Sequence, residues 1–245
     1  MVTVLSAVPV VPESPVGAFP MWLTVLASAS LILAVGIAVL VTVDVIRRPQ
    51  RMGVMNIVWP LTMLFGSVLW LRLYRRYQRV SVDGRESEAM SVAVGASHCG
   101  AGCALGDLIA ELAIAALPGL ATVLGLGVVF SQRTLAAWIL DYVVAFLIGI
   151  GFQYFAIAPM RGLSLGAGLK AAIKADTLSI TAWQVGMYGL MAVLQFAVVA
   201  PLFGAPASVF TPEFWFIMQL AMLAGFATAY PVNLLLIRHG VKERM

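Results

Sequence analysis

Charge is scarce in this 245-residue chain: Asp, Glu, Lys and Arg make up 11% of it, where a soluble domain carries roughly a quarter. Two cysteines and two histidines exclude a disulfide-knit secreted module and an array of zinc fingers. The sequence also lacks a Gly-x-Ser-x-Gly elbow, a His-Glu-x-x-His pair, a phosphate-binding loop and a dinucleotide fingerprint. His98 and His239 are far apart in the chain, so no nucleophile–base pair is visible and the sequence leans against an enzyme. The net charge of +4 comes from basic residues beside apolar runs, a pattern of membrane topology and not of a nucleic-acid stripe.

What is present is hydrophobic. Apolar side chains make up 62% of the chain and the mean hydropathy is +0.99, which places it among integral membrane proteins. Six apolar segments are expected at Met21–Ile46, Val54–Leu71, Ser97–Leu117, Thr134–Ala158, Leu178–Phe203 and Phe214–Ile237. Each is long enough for a hydrocarbon core of about 30 Å at roughly 1.5 Å per residue, and lipid leaves helices as the way to satisfy their backbone. The expected fold is all-α, a polytopic transmembrane bundle of five or six spans over residues 21–245. Residues 1–20, with Pro9, Pro12, Pro15 and Pro20 and no Lys or Arg, read as an irregular, uncleaved tail.

Two topologies stay open. With six crossings and the N-terminus inside, Arg47, Arg48, Arg51 and Arg133 fall on the wrong side of the positive-inside rule. If Val54–Leu71 instead dips in and returns, five segments cross, the N-terminus lies outside and only Arg133 is external. Pro60 in mid-segment suits either a break or a kink. Both versions put the C-terminus, with Arg244, and the Leu73–Met90 loop, with Arg85, in the cytoplasm.

The informative stretch runs from Ser97 to Glu111. Cys99, Cys103, Asp107 and Glu111 recur every four residues, so on a helix they trace one slowly winding stripe. Leu105, Leu108, Ile109 and Leu112 occupy the other side and would face lipid. Carboxylates inside a span cost roughly 2.5–3.5 kcal/mol each on insertion scales, which makes them functional candidates that want water, each other or a cation. With the helix starting at Ser97 or His98, its dipole would favour thiolates. Cys99, Cys103 and His98 would then suit Cu(I) or Zn(II), with Asp107 and Glu111 continuing the path in oxygen ligands. A disulfide between the two thiols is disfavoured by the poorly aimed Cβ vectors of helical i, i+4 positions.

A second stripe lies in the fifth segment, where Asp176 or Thr177 would cap the helix. Asp176, Gln184, Met187 and Met191 fall on one face that would form the opposite wall. Met sulfur is a soft ligand but also a common core filler. Gln184, Gln195 and Asn233 read as interhelical hydrogen-bonding groups, Lys174 and Arg161 as cytoplasmic-surface anchors with Lys242 among the other cytoplasmic basic residues, and Trp22, Trp70, Tyr74 and Tyr77 as an interfacial belt.

The strings Asn56-Ile-Val-Trp59-Pro60-Leu-Thr62, Ser97-His98-Cys99-Gly-Ala-Gly-Cys103 through Asp107, Met160-Arg161-Gly162, Lys174-Ala-Asp176-Thr177-Leu-Ser179 and Pro231-Val-Asn233 together resemble a family of bacterial membrane proteins grouped as a domain of unknown function. The resemblance runs from about Trp22 to the C-terminus, and His-Cys-Gly-Ala-Gly-Cys is its specific part. It implies a bacterial inner-membrane protein of unassigned activity linked to metal handling. The expectation is therefore a multi-pass cytoplasmic-membrane protein that binds and transports a soft or borderline cation. The competing expectation is a non-catalytic subunit or assembly factor whose stripes pair with a membrane partner or a second copy of the chain.

Overall fold

The structure, a computed structural model, describes residues 8–83 and 87–242. Arg85, Arg244 and the first seven residues of the tail lie outside the described residues. The chain folds as a polytopic helical bundle of α1 (Met21–Arg47), α2 (Met55–Asp83), α3 (Glu88–Ala116), the short α4 (Gly119–Val123), α5 (Arg133–Arg161), α6 (Leu165–Ala192) and α8 (Pro212–Arg238). α6 continues through a π-helical stretch, Val193–Val199, into α7 (Ala200–Phe203). Six helical segments are long and apolar enough to cross a membrane.

The second of them turns back on itself. Ser67 adopts φ 44° and ψ −123° inside α2, a strained conformation that costs about 1–3 kcal/mol and persists only where surroundings enforce it. Trp59 packs against Tyr74 with ring centroids 5.3 Å apart and against Tyr77 at 5.5 Å, whereas 18 residues of unbroken helix would separate Trp59 and Tyr77 by about 27 Å. The arms 55–66 and 68–83 are therefore antiparallel neighbours. Asp44, near the end of α1, accepts hydrogen bonds from Tyr74 Oη at 2.5 Å and Gln78 Nε2 at 3.3 Å, and the Gln50 amide donates to Asn56 Oδ1 at 2.8 Å. Both feet of the hairpin thus stand at the C-terminal end of α1. A Cβ on Gly66 would overlap the Trp70 indole, so the glycine lets the ring fold over the tip.

Five helices traverse the bundle. Thr24 donates to Glu213, and Ser30 to Gln219 at 2.8 Å, so α1 and α8 run parallel. Tyr142 meets Thr181 at 2.9 Å and Tyr188 donates to the Trp138 carbonyl at 3.1 Å, so α5 and α6 are antiparallel. The chain goes down through α1, down again through α5 and α8, and up through α3 and α6. Arg133 sits at the upper end, apart from the other described Lys and Arg, which gather at the end holding the hairpin feet. Of the two arrangements that the sequence allows, the hairpin in α2 matches the one in which Val54–Leu71 dips in and returns.

Three local expectations are corrected. α3 begins at Glu88, where the Ser87 hydroxyl accepts from the Met90 amide at 3.2 Å, so Cys99 lies three turns inside the helix and beyond the reach of its N-terminal dipole. α6 begins at Leu165 after Ser164; no Pro or Gly interrupts Lys170–Asp176, and Asp176 is an interior residue instead of a cap. Trp70 and Tyr74 are buried by the hairpin instead of standing in a belt, while Trp22 is exposed.

Candidate functional site

Small residues draw α3 against α5. A Cβ on Gly102 would lie 3.0 Å from Gly149 Cα, and one on Gly106 2.6 Å from Ala145 Cα, so the backbones are nearly in contact. This seam, with α6 closing it, collects most of the buried ionisable residues. Asp107, Glu111, Asp141 and Asp176 are each at most 1% exposed, as are Cys99, Cys103 and His98.

At the lower end is a five-residue centre. The Cys99 thiol donates to Asp176 Oδ1 at 3.0 Å and lies 2.8 Å from Ser179 Oγ. Asn233 Nδ2 donates to Ser179 Oγ at 2.6 Å and to the Ala229 carbonyl at 2.9 Å. Lys242, just beyond α8, brings its ammonium under the same groups, 2.9 Å from Asp176 Oδ1, 3.3 Å from the Gly95 carbonyl and 3.5 Å from Cys99 Sγ. Burial works against that charge, but Asp176 and then Cys99 outweigh it and hold the ammonium's pKa above its ordinary value. Asp176 Oδ2 and Asn233 Oδ1 are buried without a hydrogen-bond partner.

One turn higher Cys103 lies within electrostatic reach of Asp107, Cys99, Asp176 and Asp141. At the upper end Asp107 and Glu111 of α3 flank Asp141 of α5. Arg133 donates to Glu111 Oε2 at 3.0 Å and to the Glu111 carbonyl at 3.2 Å, and its guanidinium is 3.6 Å from Glu13. Neither oxygen of Asp107 or of Asp141 has a hydrogen-bond partner. Asp107 also lines a mostly apolar cavity of about 260 Å³ above the hairpin tip, between Leu31, Phe65 and Met222.

The candidates named from sequence therefore divide. Cys99 and Asp176 meet directly, with Ser179 and Asn233. Cys103, Asp107 and Glu111 continue upward along the same helix. His98 is turned to the α3–α5 interface: the register that sets Gly102 against Gly149 puts His98 level with Gln153, and neither ring nitrogen and neither Gln153 amide atom has a partner. Gln184, Met187 and Met191 are buried on α6 two, three and four turns above Asp176; the Gln184 amide has no partner. Leu105, Leu108, Ile109 and Leu112 are partly or well exposed, as the lipid-facing side requires. Asn233 makes the interhelical bond expected of it, whereas Gln195 pairs with the Ala207 backbone through both amide atoms, at 2.8 and 3.2 Å, next to the π-helical stretch. Among the described residues no three His, Cys, Asp or Glu side chains converge as a ready metal cage.

Ser179 and two charged members of the seam escaped the sequence reading. Asp141 carries the ordinary signal of an acid inside an apolar span, visible once its segment is read for charge. Lys242 has no such signal, because a lone Lys after the last span looks like a surface anchor and only the turn at His239–Val241 brings it inward.

Fold and seam together define the class: a polytopic membrane bundle with thiols and carboxylates sealed between its helices. The chain belongs to the family described as a domain of unknown function (DUF4396), whose profile matches residues 90–242. The match starts at residue 90 and not near Trp22, so α1, the hairpin and the Asn56–Thr62 string lie outside it, while every residue of the seam from Cys99 to Lys242 lies inside. No curated protein and no solved structure matches the chain.

Proposed function

We propose that the chain is a cytoplasmic-membrane protein that binds a soft or borderline metal cation, Cu(I) or Zn(II), and passes it along the α3–α5–α6 seam. The observation that carries this reading is a charge imbalance. Four carboxylates, Asp107, Glu111, Asp141 and Asp176, are buried beside two thiols and face two bases, Arg133 and Lys242. Uncompensated carboxylates in a low-dielectric interior are costly unless a cation or a proton joins them.

Cys99 and Cys103 capture the ion at the lower end, where thiolate sulfur selects soft and borderline metals. Asp107, Glu111 and Asp141 pass it upward or carry counter-protons, and Gln184, Met187 and Met191 line the α6 wall. The basic end of the bundle is the cytoplasmic side by the positive-inside rule, which places the thiol end and the C-terminus there. Because these stripes are covered within the chain itself, no partner helix is needed to seal them, and this supports the cation reading over that of an assembly subunit.

The test is metal content. The purified protein loaded with Cu(I) or Zn(II) is expected to retain about one ion per chain, and the Cys99→Ser/Cys103→Ser variant to lose it. Equal content in the two proteins overturns the proposal.

A further inference from the structure

The lower centre already holds a positive charge, and that charge is tethered to the protein. Lys242 Nζ has Asp176 Oδ1 at 2.9 Å, the Gly95 carbonyl at 3.3 Å and Cys99 Sγ at 3.5 Å. Those are two oxygens and a sulfur around a cation. Asp176 Oδ2 and Asn233 Oδ1, both buried and unpartnered, are oxygen donors of the same centre that the ammonium leaves unused. A lysine is a mobile plug by its nature, a point charge on a flexible four-carbon stem. Here it hangs from the few residues after α8, outside every spanning segment.

We propose that Lys242 occupies a divalent-cation site built by α3, α6 and α8, and that a borderline divalent ion of the Zn(II) class enters by expelling it. This rests on the cation reading above and deepens it by naming the ion class and the gate. Charge balance in a dry site makes the choice. With Lys242 in place, one ammonium and one carboxylate sum to zero beside a neutral thiol. With Lys242 withdrawn, a divalent ion, the Asp176 carboxylate and a Cys99 thiolate again sum to zero, the thiol proton leaving to water. A monovalent ion on the same thiolate and carboxylate leaves one negative charge uncompensated and needs the lysine to stay. The donor set agrees, since one sulfur among several oxygens suits a borderline ion better than Cu(I), which favours several soft ligands. Lys242 is thus a gating and selecting residue and not a ligand.

The experiment compares the full-length protein with Lys242→Met and Lys242→Arg, reading Zn(II) affinity by equilibrium binding in detergent. In a Cys103→Ser background without metal, the rate of Cys99 alkylation by a maleimide reports the opening directly. Because a site blocked by its own side chain binds in proportion to the fraction that is open, Lys242→Met is expected to bind Zn(II) at least about tenfold more tightly and to expose Cys99 to alkylation faster by a similar factor. Lys242→Arg keeps the charge and is expected to stay close to the parent. The Asp176→Asn/Lys242→Met variant, neutral and free of an orphaned charge, is expected to show fast alkylation with no gain in Zn(II) affinity. Zn(II) affinity and alkylation unchanged in Lys242→Met overturn the plug while leaving the cation reading intact. Zn(II) binding that survives Cys99→Ser at full strength overturns the cation reading at this centre, and the absence of Zn(II) binding from every variant overturns the divalent site while leaving the Cu(I) form of the cation reading to the metal-content test above.

Discussion

Breaking the Lys242–Asp176 pair from one side should be far worse than removing it altogether. At 2.9 Å the Coulomb attraction is about 6 kcal/mol at an effective dielectric constant of 20, and both side chains are at most 1% exposed, so dehydration of the two charges offsets much of that gain. Lys242→Met leaves Asp176 buried with no compensating charge, and Asp176→Asn does the same to Lys242; each is expected to cost about 3–5 kcal/mol. The double variant has neither charge, keeps an Asn acceptor for the Cys99 thiol and should lie within about 2 kcal/mol of the parent. The coupling energy from the cycle is then at least about 4 kcal/mol. Reversible unfolding in mixed micelles, followed by loss of helical circular dichroism, measures all four proteins. A double variant that costs the sum of the singles, with coupling near zero, refutes the placement of Lys242 in the core.

Other perturbations test the frame that holds the site. Gly106→Val places a side chain where a Cβ would already be 2.6 Å from Ala145 Cα and N, so the α3–α5 seam must open; thermal unfolding should register a loss of about 1–3 kcal/mol or more. Gly151→Ala on α5 meets nothing within 4 Å and should be neutral or stabilising by up to about 1 kcal/mol. Single cysteines at Gln50 and Arg79, in a background lacking both native thiols, should react with an impermeant reagent from the same side of oriented vesicles; labelling from opposite sides would show α2 to cross. Arg133→Leu strips Glu111 Oε2 of its 3.0 Å partner and should cost about 3–5 kcal/mol in the same unfolding assay, with Glu111→Gln restoring part of the loss.

The fold was legible because lipid makes few demands and makes them along the whole chain. Apolar length located the long helices, while the placement of Lys and Arg left the hairpin and the six-crossing versions both open. What hydropathy could not resolve was the turn at Ser67, which is set by Trp70 folding over Gly66 and Trp59 packing on Tyr74 and Tyr77, contacts made within the hairpin and not written in any window of 19 residues. Helix starts were missed for a related reason: Ser87-Glu88 and Ser164 are capping signals in polar stretches that an apolar scan discards.

The site divides along the same line. Cys99, Cys103, Asp107 and Glu111 announce themselves by four-residue spacing on one helix, and that spacing does bury them together. Their partners come from elsewhere: Asp176, Ser179 and Asn233 meet Cys99 only because α6 and α8 pack antiparallel at one register. Lys242 joins through a turn at Gly240, whose φ of 66° is the left-handed region that glycine adopts without strain.

The central claim is that a cation is held by sulfur and carboxylate oxygen between α3 and α6. X-ray absorption at the metal edge of the Zn(II)-loaded full-length protein addresses it most directly. The account predicts a sulfur scatterer at about 2.3 Å with oxygen ligands near 2.0–2.2 Å, the sulfur shell falling in Cys99→Ser and absent once Cys103→Ser is added. A shell of oxygen and nitrogen alone in the parent protein, unchanged by that substitution, contradicts it.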